Sequence, residues 1–190
     1  MRPMKAMSST GLIRSFSRLA RDVRAVSAVE FALILPIMVT LFLGGTELSQ
    51  AISVKRKSVL VNRTIADLTA QYTSISSATM NIIFGAAAAV ISPYASGKLK
   101  IVVSGVSVDP VTLVAQVKWS CGWQATARAI DSTLTLPTGL NTAGSWLVFA
   151  ETTYEYTPPV GYAIVGMLPL KDTMYLRPRL TSSIAQTGCP

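Results

Sequence analysis

The sequence predicts an α+β chain in which a long N-terminal transmembrane helix, extended into a stalk, precedes a small exported domain with helices and an antiparallel sheet. Three observations carry this. Residues 26–48, VSAVEFALILPIMVTLFLGGTEL, form an apolar run with only two charges, Glu30 and Glu47. Residues 49–91 then keep apolar side chains at helical spacing, and from Leu99 the apolar period changes to two. Four segments follow: a basic cytoplasmic leader (1–25), a transmembrane helix (26–48), a helical stalk with a second helix (49–97) and a β-rich exported domain (98–190).

The apolar run decides the class. As a helix it would span about 35 Å, enough for a hydrocarbon core of about 30 Å with some tilt. Residues 31–45 are apolar on every side, which a water-soluble protein could bury only inside a large domain. A chain of 190 residues leaves room for one modest domain besides this helix. Pro36 removes one helical hydrogen bond and is expected to kink the span. Gly44 and Gly45 permit bending or close helix approach.

Charge sets the expected orientation. The net charge is +8, but residues 1–25 hold six cations (Arg2, Lys5, Arg14, Arg18, Arg21, Arg24) against Asp22 alone. The basic balance therefore describes a tail and not a nucleic-acid-binding face. Cations ahead of an apolar run are those the positive-inside bias retains in the cytoplasm, although Lys55, Arg56, Lys57 and Arg63 follow it. Residues 14–24 place Phe16, Leu19 and Val23 at helical spacing between arginines, a pattern of an amphipathic piece on an anionic membrane or of a solvated tail.

After the span, residues 49–71 lack Pro and Gly and carry Val54, Val61, Ile65 and Leu68 at spacings of seven, four and three. The helix is expected to continue outward as a stalk. A second helix is predicted over 77–91, capped by Ser77, with Met80, Ile83, Phe84, Ala87 and Ile91 on one face and Pro93 as its stop. Residues 98–120 read as two strands joined at Asp109-Pro110, with Leu113, Ala115, Val117 and Trp119 on one face. Residues 137–145 form a loop, and 146–156 another strand closed by Pro158-Pro159. The run 162–168 suits helix or strand, and 173–185 supplies a last strand interrupted near Pro178.

Two cysteines, Cys121 and Cys189, suit one bridge in an oxidising compartment, the alternative being two free thiols. The chain has no histidine, which excludes Ser-His and Cys-His nucleophile pairs and His-ligated metal. Glu151 and Glu155 would lie about 13 Å apart on a strand, too far for a glycosidase-type pair, and read as solvated. Trp119, Trp123, Trp146, Tyr154, Tyr156 and Tyr162 suit core packing better than a binding surface. No enzyme activity, metal or cofactor is expected.

Glu30 makes the span more specific, because an ionisable group at the edge of hydrocarbon is costly unless it is paired or faces protein. Its surroundings, AVSAVEFALILP, resemble the processing and assembly motif of type IV pilin-like proteins. AVEFALILP resembles, more narrowly, the TadE-like pseudopilins (TadE/TadG family) of the tight adherence (Tad/Flp) pilus system. Patches further on, TIADLTAQYTSIS, AAAAVISPY, VKWS, YEYTPPVGY and YLRPR, are similar to that family too. The resemblance implies a pilin-like fold and a prepilin peptidase that cuts between Ala25 and Val26, leaving Glu30 as the fifth mature residue. The family usually has Gly where this chain has Ala25. Glu30 would then neutralise the new ammonium of a neighbouring subunit, the alternative being a carboxylate snorkelling to the cytoplasmic interface.

The implied role is that of a minor pseudopilin, a structural and assembly component in the bacterial inner membrane with its C-terminal domain periplasmic or in a surface pilus. The implied partners are other pilins and pseudopilins, the prepilin peptidase and the inner-membrane assembly platform, besides the membrane itself and with no nucleic acid. Two rivals stand beside this reading. One is an unprocessed, membrane-anchored envelope or adhesive ectodomain. The other is a secreted protein with a long signal peptide, since Ser49-Gln50-Ala51 satisfies a small-x-small cleavage rule.

Overall fold

A computed structural model describes residues 23–161 and 166–190. Tyr162, and the expected amphipathic piece over 14–24 except its last two positions, lie outside the described residues. The chain divides into two compact units, Met1–Thr46 and Glu47–Pro190. Helix α1 (Val23–Ala70) contributes residues to both.

In the first unit the side chains of α1 are exposed nearly all round, Phe31, Leu33, Ile37, Leu41 and Phe42 among them. A helix apolar on every side is stable when its surroundings are hydrocarbon, because all its backbone polar groups bond within the helix. By length and composition α1 is able to cross a membrane. Pro36 sits inside it without ending it, and Thr40 Oγ1 donates to the Pro36 carbonyl at 2.8 Å.

The second unit is a helix-on-sheet layer. From Val54 on, α1 turns Val61, Ile65, Ala66 and Ala70 into the core, and helix α2 (Ser77–Val90) adds Met80, Ile83, Phe84 and Ala87. Both share one hydrophobic cluster with a five-stranded antiparallel sheet of order β4-β3-β2-β5-β6. Its strands are β2 (Leu99–Val108), β3 (Ala115–Trp123), β4 (Thr133–Leu134), β5 (Trp146–Tyr156) and β6 (Leu168–Leu176). Two short strands, β1 (Ser74–Ile75) and β7 (Ala185–Gln186), pair in parallel and tie the C-terminal tail to the link between the helices. The fold is therefore α+β, a long apolar N-terminal helix followed by a small domain with a helix and an antiparallel sheet.

Strand β5 shows why the sheet has two cores. Val148, Ala150, Tyr154 and Tyr156 join the cluster under the helices, whereas Leu147 and Phe149 project to the other side. There they meet Val106, Val108, Ala115, Val117 and Leu136 in a second, smaller cluster. Two-residue alternation places consecutive side chains on opposite faces, so each strand can serve both.

Four local expectations are corrected. The cap of α2 is Ser76 and not Ser77: Ser76 has extended backbone and its Oγ accepts from Thr79 N at 3.2 Å, while Ser77 is already helical. Leu113 does not share a face with its neighbours but occupies the β2–β3 turn, at φ 57° and half-exposed. Ala115 and Val117 face the smaller cluster while Trp119 faces the helices, because the pairing passes from Val106↔Val117 to Gly105↔Trp119. Lys118 is the extra residue of a β-bulge, and one inserted residue exchanges the faces of everything beyond it. Finally, 173–185 is not one strand broken at Pro178: its first residues end β6 and its last begins β7. β6 ends before Pro178, which has no N–H to give a ladder, and Ala185–Gln186 forms β7 in another sheet.

Trp119 shows how closely this core is fitted. Its indole N–H donates to the Ile184 carbonyl at 2.8 Å, and its ring lies 6.1 Å from that of Trp146. Both indoles pack over Gly105, where any Cβ would collide with them. Of the aromatic residues expected in the core, the described ones are placed there: Trp119, Tyr154 and Tyr156 are buried, and Trp123 and Trp146 pack against the same cluster.

Candidate functional site

The residues singled out for processing and assembly lie at the start of α1. Ala25 and Val26 are helical, and Val26 and Glu30 are solvent-exposed among apolar neighbours. Glu30 makes no ion pair among the described residues. Four residues of helix separate Val26 from Glu30, one turn or about 6 Å along the axis, so both occupy one face. That geometry presents a carboxylate from an apolar surface, beside the position where cleavage would create an ammonium.

The second carboxylate of the run behaves differently. Glu47 Oε1 accepts the backbone N–H of Val160 at 2.5 Å and of Gly161 at 2.8 Å. The loop after Pro158-Pro159 thus wraps onto the residue where α1 enters the second unit. Gly161 eases the approach, since a Cβ there would stand 2.5 Å from the Glu47 carboxylate and the end of that side chain would have to shift. Tyr156, just before this loop, has its phenol pushed up, first by burial and then by the negative charge of Glu47. Among the described residues its buried hydroxyl has no partner. Nothing local in the sequence joins Glu47 to this loop, 113 residues away.

Polar pairs tie α1 to the sheet. Asp172 on β6 accepts from Lys55 at 3.2 Å and from Asn62 Nδ2 at 2.9 Å. Lys55 also bonds the Lys171 carbonyl, and Arg179 pairs with Asp67. Lys55 thereby covers part of the open edge of β6, which would otherwise be a template for strand addition.

Cys121 and Cys189 are joined, with Cα atoms 5.4 Å apart. Cys121 is buried in β3, and the bond fastens the C-terminal tail across the sheet. Glu151 and Glu155 are not simply solvated: each has its own cation. Arg128 grips Glu151 with two bonds, at 2.5 and 2.7 Å, and lies 5.2 Å from the Phe149 ring centre. The bond to Glu151 raises the Arg128 pKa. Lys100 pairs with Glu155. Together they line a shallow groove of about 360 Å³. Its carboxylates are neutralised by fixed cations, so neither is free as a general base or nucleophile. Among the described residues no cluster of three or more His, Cys, Asp or Glu could hold a metal ion.

Comparison with known proteins bears on the same stretch of α1. Neither a curated protein nor a solved structure matches the chain. Residues 25–57 match the family model described as TadE-like protein, a structural family associated with the Tad pilus. That stretch contains Ala25, Val26, Glu30 and Glu47, so the resemblance read from AVEFALILP to the TadE-like proteins of the Tad pilus holds over the apolar half of α1.

Proposed function

We propose that this protein is a minor pseudopilin that helps to assemble or initiate a Tad/Flp-type pilus from the inner membrane. The observation that carries the reading is the TadE-like match over residues 25–57, which falls on an exposed apolar helix bearing a carboxylate near its start. The work is structural. A prepilin peptidase cuts between Ala25 and Val26, and the helix then packs against those of other pilins and pseudopilins on the assembly platform.

Glu30 supplies register. A carboxylate and an ammonium attract strongly in low dielectric, though desolvation consumes much of the gain. Their main effect is to penalise any stagger between helices that leaves either charge unpaired. The test is the intact mass of the protein from cells with and without an active prepilin peptidase. A chain starting at Val26, seen only with the peptidase, is expected; a membrane-bound chain that keeps residues 1–24 would overturn the proposal.

One feature favours a second reading. Ala25 stands where the family usually has Gly, which suits an unprocessed, membrane-anchored ectodomain with an envelope or adhesive role. The same mass measurement separates the two. The signal-peptide reading draws less support, because cleavage after Ala51 would discard Glu47 and its hold on Val160 and Gly161.

A further inference from the structure

The exposed apolar side chains of the second unit are spread over several elements, but one group collects at a single end. Leu48 and Ile52, four residues apart on one face of α1, are 62% and 45% exposed. Val160 and Met167 are 59% and 53% exposed. Strand register places the last two: Tyr156 pairs with Leu168, so the chain leaves β5 toward Val160 and returns from Met167 at the same end of the sheet. The bonds from Val160 and Gly161 to Glu47 fix that end to the first residue of α1 beyond the apolar unit.

We propose that this end of the domain, with Leu48, Ile52, Val160 and Met167 around Glu47, docks into the lipid interface of the membrane that α1 spans. The inference rests on the membrane reading of α1 and extends it from the helix to the folded domain. The occupant is lipid because the patch continues the apolar surface of α1 directly: Glu47 follows Thr46 in the chain and Leu48 follows Glu47. The interfacial layer of a bilayer is about 5–8 Å deep on each side. Ile52 lies about 7 Å beyond Glu47 along the helix, within that depth. The polar groups at this level are also prepared for it. Glu47 is a carboxylate whose charge is held by two N–H donors, and the two loop N–H groups are satisfied without water. Lys98 bonds Thr157 Oγ1 at 3.0 Å beside the same loop, which puts a cation at headgroup level.

The opposite end of the sheet supplies the control. The β2–β3 turn is equally apolar, with Val111 88% exposed, but β2 runs about 30 Å between the two ends. The experiment uses the full chain, unreduced so that Cys121 and Cys189 stay paired, in vesicles of phosphatidylethanolamine with one quarter phosphatidylglycerol. Single variants Val160→Cys, Met167→Cys and Val111→Cys carry an environment-sensitive fluorophore, with the unsubstituted chain as blank.

Probes at 160 and 167 should be quenched by lipids brominated near the glycerol and be several-fold less accessible to aqueous iodide than the probe at 111. Equal iodide access at 160, 167 and 111 in a chain that resists alkaline extraction would overturn this inference and leave the spanning helix intact. A chain that alkaline carbonate extracts from the vesicles would overturn the membrane reading and this inference with it. Protection that appears only at high protein-to-lipid ratio would overturn it too, by identifying a second copy as the occupant.

Discussion

Glu47 Oε1 accepts the backbone N–H of Gly161 at 2.8 Å across 114 residues of sequence. The contact closes the domain at the end where α1 enters it. A side chain at 161 would push the carboxylate aside. A charge-assisted hydrogen bond contributes about 1.5–3 kcal/mol when sheltered. Glu47 is half-buried, so Glu47→Ala is expected to cost about 1–2 kcal/mol and lower Tm by about 3–6 °C. Gly161→Ala should cost a similar amount, and the double variant little more than either, because both remove one contact. Thermal unfolding in detergent, followed by circular dichroism, checks this; fully additive losses would show that the two residues act separately.

The Cys121–Cys189 bond closes a loop with a sequence separation of 68. In the chain-entropy model such a loop restrains the unfolded chain by about 4 kcal/mol, an upper value. Cys189→Ser should therefore lower stability by up to about that amount, and reduction of the natural chain should match it. Thiol labelling of the unreduced, denatured protein is expected to find neither cysteine free. Labelling at both positions would remove the bridge from this account.

Glu30→Gln separates assembly from anchoring. An amide is easier to bury than a carboxylate, so membrane insertion should be unchanged. Incorporation should fall, because an amide accepts a hydrogen bond but cannot cancel a neighbour's buried ammonium. Co-purification with pilus components and surface pilus yield, at equal membrane levels, provide the measurement. Glu47→Gln is the comparison: its effect should appear in domain stability and not in pairing with a neighbour. Normal pilus yield with Glu30→Gln would reject charge pairing.

The turn between β2 and β3 should respond to acid. Asp109 accepts the N–H groups of Thr112 and Val111, at 2.7 and 2.9 Å, and these bonds hold its carboxyl below the usual 3.8. A carboxylate with a depressed folded-state pKa contributes stability that is complete above its unfolded value. That contribution fades as pH falls from about 4 through the lowered folded value. Amide exchange at Val111 and Thr112 should therefore quicken, relative to β2, in that acid range and not above pH 5. Asp109→Asn should remove most of the acid dependence; an unchanged profile would assign it to another group.

Local pattern alone was enough for much of this molecule. The apolar run at 26–48 specifies a helix that hydrocarbon can surround, since no other conformation satisfies its backbone there. Met80, Ile83, Phe84, Ala87 and Ile91 could be read as one face because helical period is a local property. The strands of the β2–β3 hairpin and of β5 were legible for the same reason, and Glu30 stood out because a charge near the start of an apolar run is conspicuous. The tertiary structure alone decided which distant groups meet. The bulge at Lys118 breaks a periodicity that looks unbroken in the sequence, and its cause is the pairing of β3 with β2. Asp172 with Lys55 and Asn62, the Trp119 N–H with Ile184, β7 with β1, and Glu47 with Val160 and Gly161 are all long-range contacts. Each joins segments whose own sequences permit many partners. What selects one is the closing of the chain in three dimensions, where a buried donor or carboxylate must find its complement or bear the cost of desolvation.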